Sequence, residues 1–301
     1  MACEYAIEAY APDADALPRS VEEALDEVDR IDRLMSHYRS GSPLSRVNRE
    51  AAQHPVEVDR ELFDFIAAAL RYSEESDGAF DITVGPLMKA WGFFGGEGRL
   101  PRDEELAAAR RRVGSRHVIL NPASRTIAFD EAGVELDLGG IAKGYAVDRA
   151  AALLKRRAVA AALVSAGGST IYALGAPPGR DAWPIAIQDP LESRKIALTV
   201  RVRDRAVSVA GRSEKSFDAG GVTYSHIMDP RTGVPAQGVL TVVVLAPTGT
   251  DGDALDDALF VLGPERAGEY LRRLRDTAAI FFVPDPRRGW ILVRPSDFAR
   301  R

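Results

Sequence analysis

Asp253, Asp256 and Asp257 stand at i, i+3 and i+4 in the run Asp251-Gly252-Asp253-Ala254-Leu255-Asp256-Asp257-Ala258-Leu259-Phe260. A helix puts all three carboxylates on one face. Acids this close repel, and a divalent cation between them relieves the repulsion. Oxygen-only ligands suit magnesium or calcium rather than zinc. The same spacing also fits acids gathered at a helix start, where they meet the positive end of the dipole. A second run, Glu135 to Asp148, carries the glycine pair Gly139-Gly140 and then Lys143. Glycines let a backbone approach a ligand, a helix start attracts phosphate, and a lysine adds a point charge to it. Taken alone, the run reads equally well as a plain turn before a helix. The third run, Tyr224 to Gly233, holds His226 and Asp229 beside Pro230, which fits either a proton-transfer pair or a simple Asp-Pro turn. Asp77 to Leu87, followed by Trp91-Gly92-Phe93, and Ala162 to Ser169, with Gly167 and Gly168, are glycine-bearing loops.

The elements around these runs are mixed. Glu4 to Tyr10 alternates polar and apolar residues, as an edge strand does. Ser20 to Leu34 has one apolar face and a Ser20/Glu23 capping-box spacing. Asp59 caps a helix through Tyr72, with further helices over 84–91 (short), 103–112, 142–156, after Asp253, and 264–274. Ser40 to Pro43 reads as a loop. Asn121 to Ser124 turns a hairpin, and Val134 to Leu138, 161–165, 171–174, 185–188, 196–202, 206–209 and 240–245 read as strands, with two more closing the chain. Strands and helices that do not alternate regularly mean an α+β fold. No linker divides the chain, so 1–301 reads as one domain of two intimately packed halves.

Composition excludes several classes. A net charge of −5 leaves no basic excess for nucleic acid. The clusters Arg110-Arg111-Arg112 and Arg156-Arg157 sit at helix C-termini, where cations are favoured. The single cysteine, Cys3, rules out an intrachain disulfide and any cysteine metal cluster. No apolar run reaches the ~20 residues of a membrane span. Glu4 and Glu8 break up the start, so no export signal is visible. Cytoplasmic work, or export after a signal was trimmed, both remain open.

Together the segments resemble the FAD:protein FMN transferase family, often called ApbE. The resemblance rests on Phe80 to Phe93, Asp137 to Ala146, His226 to Gly233 and the segment from Asp253, with Leu34 to Tyr38 and Ser45 to Asn48 similar to an early motif. These matches follow the family's order across the chain up to about Gly263. The resemblance implies a T-fold-like arrangement of antiparallel sheets and packed helices, with an FAD cleft between two subdomains. It implies that Tyr38 lies against the adenine end, that Ala79, Phe80 and Asp81 line the nucleotide, and that Asp137 and Lys143 bracket ribose and pyrophosphate. Met1, Gly167, Gly168 and Ile227 join them as flavin contacts. The Gly140 carbonyl with Asp253, Asp257 and the adjacent Asp256 would hold Mg2+. His226, as base, and Asp229 would sit at the scissile phosphate. The implied reaction moves FMN from FAD to a threonine or serine hydroxyl of an acceptor protein and releases AMP. An FAD pyrophosphatase and a non-catalytic flavin-binding protein are the alternatives.

The chain departs from the family pattern in places. Asp257 stands where threonine or serine is usual, Ser165 for asparagine, Ser169 for aspartate, and Val209-Ala210-Gly211 for a threonine-serine-glycine run. Ala2 and Cys3 replace glycine and threonine.

Overall fold

The computed structural model describes residues 3–13, 15–212 and 215–295; Met1 and Ala2 lie outside them. In chain order the first half comprises β1 (Tyr5–Tyr10), α1 (Leu17–Met35), α2 (Pro43–Glu50), β2 (Val56–Glu57), α3 (Arg60–Glu75), α4 (Gly85–Ala90), α5 (Asp103–Arg111), β3 (Val118–Asn121), β4 (Thr126–Phe129) and α6 (Ala142–Arg156). The second comprises β5 (Ala161–Ala166), β6 (Thr170–Leu174), β7 (Trp183–Gln188), β8 (Ile196–Val202), β9 (Arg205–Gly211), β10 (Ser216–Ala219), β11 (Val222–Ser225), β12 (Met228–Asp229), β13 (Val234–Pro235), β14 (Thr241–Ala246), α7 (Gly249–Leu271), β15 (Ala278–Asp285) and β16 (Gly289–Val293).

The period-2 alternation of these strands builds a seven-stranded antiparallel sheet, ordered β1-β5-β6-β9-β14-β15-β16. One face buries Ala162, Val164, Val242, Val244 and Phe281 under the helices. The opposite face buries Ala161, Ala173, Val207, Val243 and Phe282 under Trp183, Ile185 and Ile187 of the β7–β8 hairpin. Covering both faces is what lets strands with few polar residues remain folded. A separate apolar cluster, with Leu87, Trp91, Phe93 and Met228 at its centre, ties α4 and α5 to β10–β13. The Trp91 indole N–H donates to the Gly233 carbonyl (2.8 Å) and anchors that lobe.

Several expectations are corrected here. Helix α1 starts at Leu17, with Ala16 at its N-cap and no side-chain cap. Ser20 lies one turn inside and donates to the Ala16 carbonyl instead (3.0 Å). Pro18 in the first turn, where a missing N–H costs nothing, sets the start. The loop expected at Ser40–Pro43 leads straight into α2, capped by Ser42. Val134–Leu138 is extended but pairs with no strand. Leu136 exchanges hydrogen bonds with the Asn48 amide (2.8 and 2.9 Å), and Asp137 N–H donates to the Ile82 carbonyl (2.7 Å). A side chain of α2 thus stands in for a neighbouring strand. Helix α7 begins at Gly249, and the break expected before Pro264 falls at Gly263 (φ 70°).

Candidate functional site

A cleft of about 780 Å³ opens between the sheet body and the α4–β12 lobe. Its walls include Tyr38, Ala79, Phe80, Asp81, Asp137, Gly140, Lys143, Gly167, Gly168, His226, Ile227, Asp253, Asp256 and Asp257. Asp229 is missing from these walls, and Met1 lies outside the described residues.

The start of α7 decides where the acids point. Thr248 caps the helix, and Asp251, not the later acids, takes the first-turn place, accepting from Thr248 Oγ1 (2.6 Å) and Tyr72 (2.5 Å). The helix start is further held by Asp148, which accepts from Gly249 N–H (2.6 Å) and Thr250 N–H (2.8 Å). Asp253 and Asp256 therefore fall in the second turn and face the sheet, 1% and 4% exposed. The helix-start reading of these two is set aside: burial this deep is opposed by solvation unless partners exist. Asp253 Oδ2 accepts from Gly144 N–H (3.0 Å), and Oδ1 accepts from Thr170 (2.9 Å) and lies 3.3 Å from Lys143 Nζ. Asp256 accepts from Ser208 (2.6 Å), and Ser208 meets Thr170 (2.9 Å). Strand register places those two hydroxyls side by side. Burial, and then the charges of Asp257 and Asp253, raise the Asp256 carboxyl well above the usual range.

Across from α7, the Gly139-Gly140 turn leads into α6. Gly144 lets the two helices touch: a Cβ there would lie 2.0 Å from the Gly249 carbonyl oxygen. At Gly140 a Cβ would come 2.5 Å from Asp257 Oδ2 and 3.3 Å from the Phe80 ring. Gly140 and Asp257 thus form a tight oxygen-lined corner beside Asp253. Among the described residues no three His, Cys, Asp or Glu side chains converge as a metal cage. The acid cluster is an open corner rather than a closed cage.

Opposite the acids, His226 Nδ1 donates to the Lys215 carbonyl (3.3 Å), which leaves Nε2 as the accepting nitrogen. Burial, with Lys143 and Lys215 nearby, pushes its pKa down to about 4. Asp229 is corrected: its carboxylate grips Arg231 through Nε and Nη2 (2.9 Å each) and also accepts the Arg231 N–H (3.0 Å). It shapes the turn that carries Pro230 and does not face the cleft. Asp81 lines the wall, yet its oxygens accept from Thr83 N–H (2.8 Å), Thr83 Oγ1 (2.6 Å) and Ser115 N–H (2.9 Å). It ties the 81–83 turn to the 114–115 turn rather than offering a free charge, while Ser76 holds Ala79 and Phe80.

At the far end, Tyr38 is 51% exposed and stacks on Phe94 (5.0 Å, 17°), with His37 packed against both rings. His37 Nδ1 lies 3.2 Å from Asp137 Oδ1, which also accepts from Gly139 N–H (2.8 Å). An exposed, braced ring is a platform for a flat heterocycle. Sequence reasoning missed Phe94, Thr170, Ser208 and the β7–β8 tongue, whose Ile185 to Pro190 also line the cleft. The doublet Phe93-Phe94 before glycines was the available signal for Phe94; Thr170 and Ser208 left none, since only strand register joins them.

The ApbE family profile matches residues 1–282. The chain belongs to the ApbE family. It is similar to the FAD:protein FMN transferase of Treponema pallidum (strain Nichols), 38% identical over 283 residues, covering 89% of this chain and 78% of that protein. The corresponding Escherichia coli (strain K12) protein is 34% identical, covering 82% and 72%. Among solved structures, the ApbE protein of Thermotoga maritima superposes with a TM-score of 0.86 at 31% identity, covering 97% of this chain and 94% of that one. Apo flavinyl transferase ApbE of Pseudomonas stutzeri gives 0.84 at 31% identity, covering 96% and 90%. The ApbE resemblance and the antiparallel-sheet α+β fold expected from sequence are both met.

Proposed function

We propose that this chain is an FAD:protein FMN transferase whose substrate, FAD, occupies the cleft with its adenine end toward Tyr38 and Phe94 and its pyrophosphate toward Lys143 and the acids. The observation that carries this reading is the corner where Gly140 meets Asp257 beside the Lys143–Asp253 pair. It brings the Gly139-Gly140 turn, carboxylates and a cation together on one side of a cleft large enough for a dinucleotide. The donor set is oxygen only and fits Mg2+. The Gly140 carbonyl, Asp253 and Asp257, with Asp256 beside them, would hold it, and the ion supplies charge neutralisation at the pyrophosphate. An open corner suits an ion that keeps positions for substrate oxygens and water.

The chain's own residues then have separate tasks. Lys143 screens phosphate charge. Phe80 and Ile227 close the walls against water. A threonine or serine hydroxyl of the acceptor attacks the FMN phosphorus, its proton passes to neutral His226 Nε2, and the bond from that phosphorus to the bridging oxygen breaks, with the oxygen leaving on AMP. Residues 1–301 act as one unit in this reading, the cleft lying between packed halves that share a continuous core. Asp257, in place of a hydroxyl residue, adds charge at the ion's corner.

The test is AMP release from FAD and Mg2+, with and without source-cell proteins. AMP only with acceptor supports transfer, AMP without it supports hydrolysis, and no AMP in either arm contradicts catalysis. Asp253→Asn should remove Mg2+-dependent release while circular dichroism stays unchanged; wild-type turnover and Mg2+ dependence would overturn the assigned ion site.

A further inference from the structure

Behind the Asp81–Pro230 wall of the cleft lies a second cavity, about 600 Å³, lined by Arg110, Arg111, Arg116 and Arg231. The four arginines come from three places in the chain: the end of α5, the turn after Gly114, and the turn after β12. Attraction to the α5 C-terminus explains Arg110 and Arg111 singly. It does not explain why Arg116 and Arg231 converge on the same hollow. Arg231 is committed to Asp229. Among the described residues, no ion pair joins Arg110, Arg111 or Arg116 to a carboxylate, whereas Arg30, Arg39, Arg99, Arg149 and Arg157 all have one. Asp81 is the only acid in the lining; its oxygens accept from Thr83 and Ser115, and it feels the charge of Arg116 without an ion-pair contact, one carboxylate against four guanidiniums. The hollow is therefore a concentrated positive patch on a chain whose net charge is −5.

We propose that this hollow docks an acidic segment of the acceptor polypeptide, next to the hydroxyl that enters the cleft; the inference rests on the transferase reading. Two observations favour a peptide over a free phosphate. Two adjacent backbone donors are already used, Gly114 N–H on Thr83 Oγ1 (2.7 Å) and Ser115 N–H on Asp81 (2.9 Å), so they form no nest for a compact oxyanion. The Arg110, Arg111 and Arg116 guanidiniums are spread along exposed side chains, a geometry that follows carboxylates along an extended chain. Position supplies the third argument. Asp81 and Pro230 line both cavities, so a chain seated here adjoins the cleft wall. A lone hydroxyl carries almost no recognition of its own, and an adjacent charged contact supplies it.

The experiment uses the full chain with a fluorescein-labelled glutamate-rich peptide carrying one threonine, a lysine-rich counterpart, and inorganic phosphate as competitor. Anisotropy at low salt should show binding of the glutamate peptide alone. The double variants Arg111→Glu/Arg116→Glu and Arg111→Ala/Arg116→Ala should weaken it by about tenfold or more, with the FAD dissociation constant and circular dichroism unchanged. Equal peptide affinity in the wild type and both variants overturns the proposal. So does no peptide binding at all, or displacement of the peptide by phosphate at equal concentration, which would make the hollow a small-anion site. Flavin-fluorescent labelling of source-cell proteins by the wild type, read separately on a denaturing gel, reports on the transferase reading. Its absence strikes that reading and leaves the peptide titration to decide the hollow.

Discussion

Gly140 and Asp257 approach so closely that a single added methyl at residue 140 would overlap a carboxylate oxygen, 2.5 Å away. One neighbour that must move is the far end of a side chain, so the fold should survive Gly140→Ala while the oxygen corner opens. The expected outcome is Mg2+ affinity lowered at least about tenfold, the scale of one disturbed ion ligand, with a native circular dichroism spectrum. Titration calorimetry with Mg2+, or Mn2+ as a spin probe, checks it. Unchanged affinity would separate Gly140 from the ion.

Asp256 makes a stability prediction with a definite sign. Its folded-state carboxyl is raised above the ordinary 3.8 by burial and two neighbouring acids. The folded protein therefore holds a proton that the unfolded chain has lost, so stability falls as pH rises above about 4. Asp256→Asn keeps an oxygen for Ser208 to donate to and removes the ionisable group. The melting temperature of the variant should exceed that of the wild type by about 2 °C or more at pH 7, and the two should converge near pH 3. A variant less stable at pH 7 would contradict this.

His226 carries the opposite linkage. Its folded pKa, about 4, lies below the ordinary 6.5. The stability it contributes is full above about 6.5 and is lost as pH falls from there toward 4. The ring should be neutral from pH 6 to 8 and able to accept a proton. Proton NMR of the His226 ring in the free protein should give a midpoint below 5; a midpoint above 6 would remove the neutral-base assignment.

Lys143 lies 3.3 Å from Asp253 and lines the cleft. Lys143→Ala should weaken FAD binding by about 1–3 kcal/mol, the scale of a charged hydrogen bond, measured by fluorescence titration. An unchanged dissociation constant would return the glycine turn to a structural role.

The chemistry was more legible in the sequence than its supports. The acids, glycine pair, lysine and histidine lie in short local runs that each left a plain structural reading open; their order along the chain, resembling the family, singled them out, and helix α6 followed from its pattern. Asp229 misled because an Asp-Pro pair reads the same whether the carboxylate faces a cleft or Arg231; which one depends on a turn that only the fold fixes. The Thr170–Ser208 contact and the Asn48–Leu136 pairing join residues 38 and 88 positions apart, and no local pattern encodes them. Val134–Leu138 has true strand alternation, yet it meets the Asn48 side chain and a single backbone carbonyl, of Ile82, instead of a strand, so period alone could not tell pairing from extension.

The most direct test of the transferase reading is the balance of products. FAD, Mg2+ and this protein are incubated with source-cell proteins, AMP is quantified, and covalent flavin is measured as fluorescence of protein bands on a denaturing gel. The account predicts one covalently bound FMN for each AMP released, both abolished in Asp253→Asn. AMP accompanied by an equal amount of free FMN, with no fluorescent band, would contradict transfer.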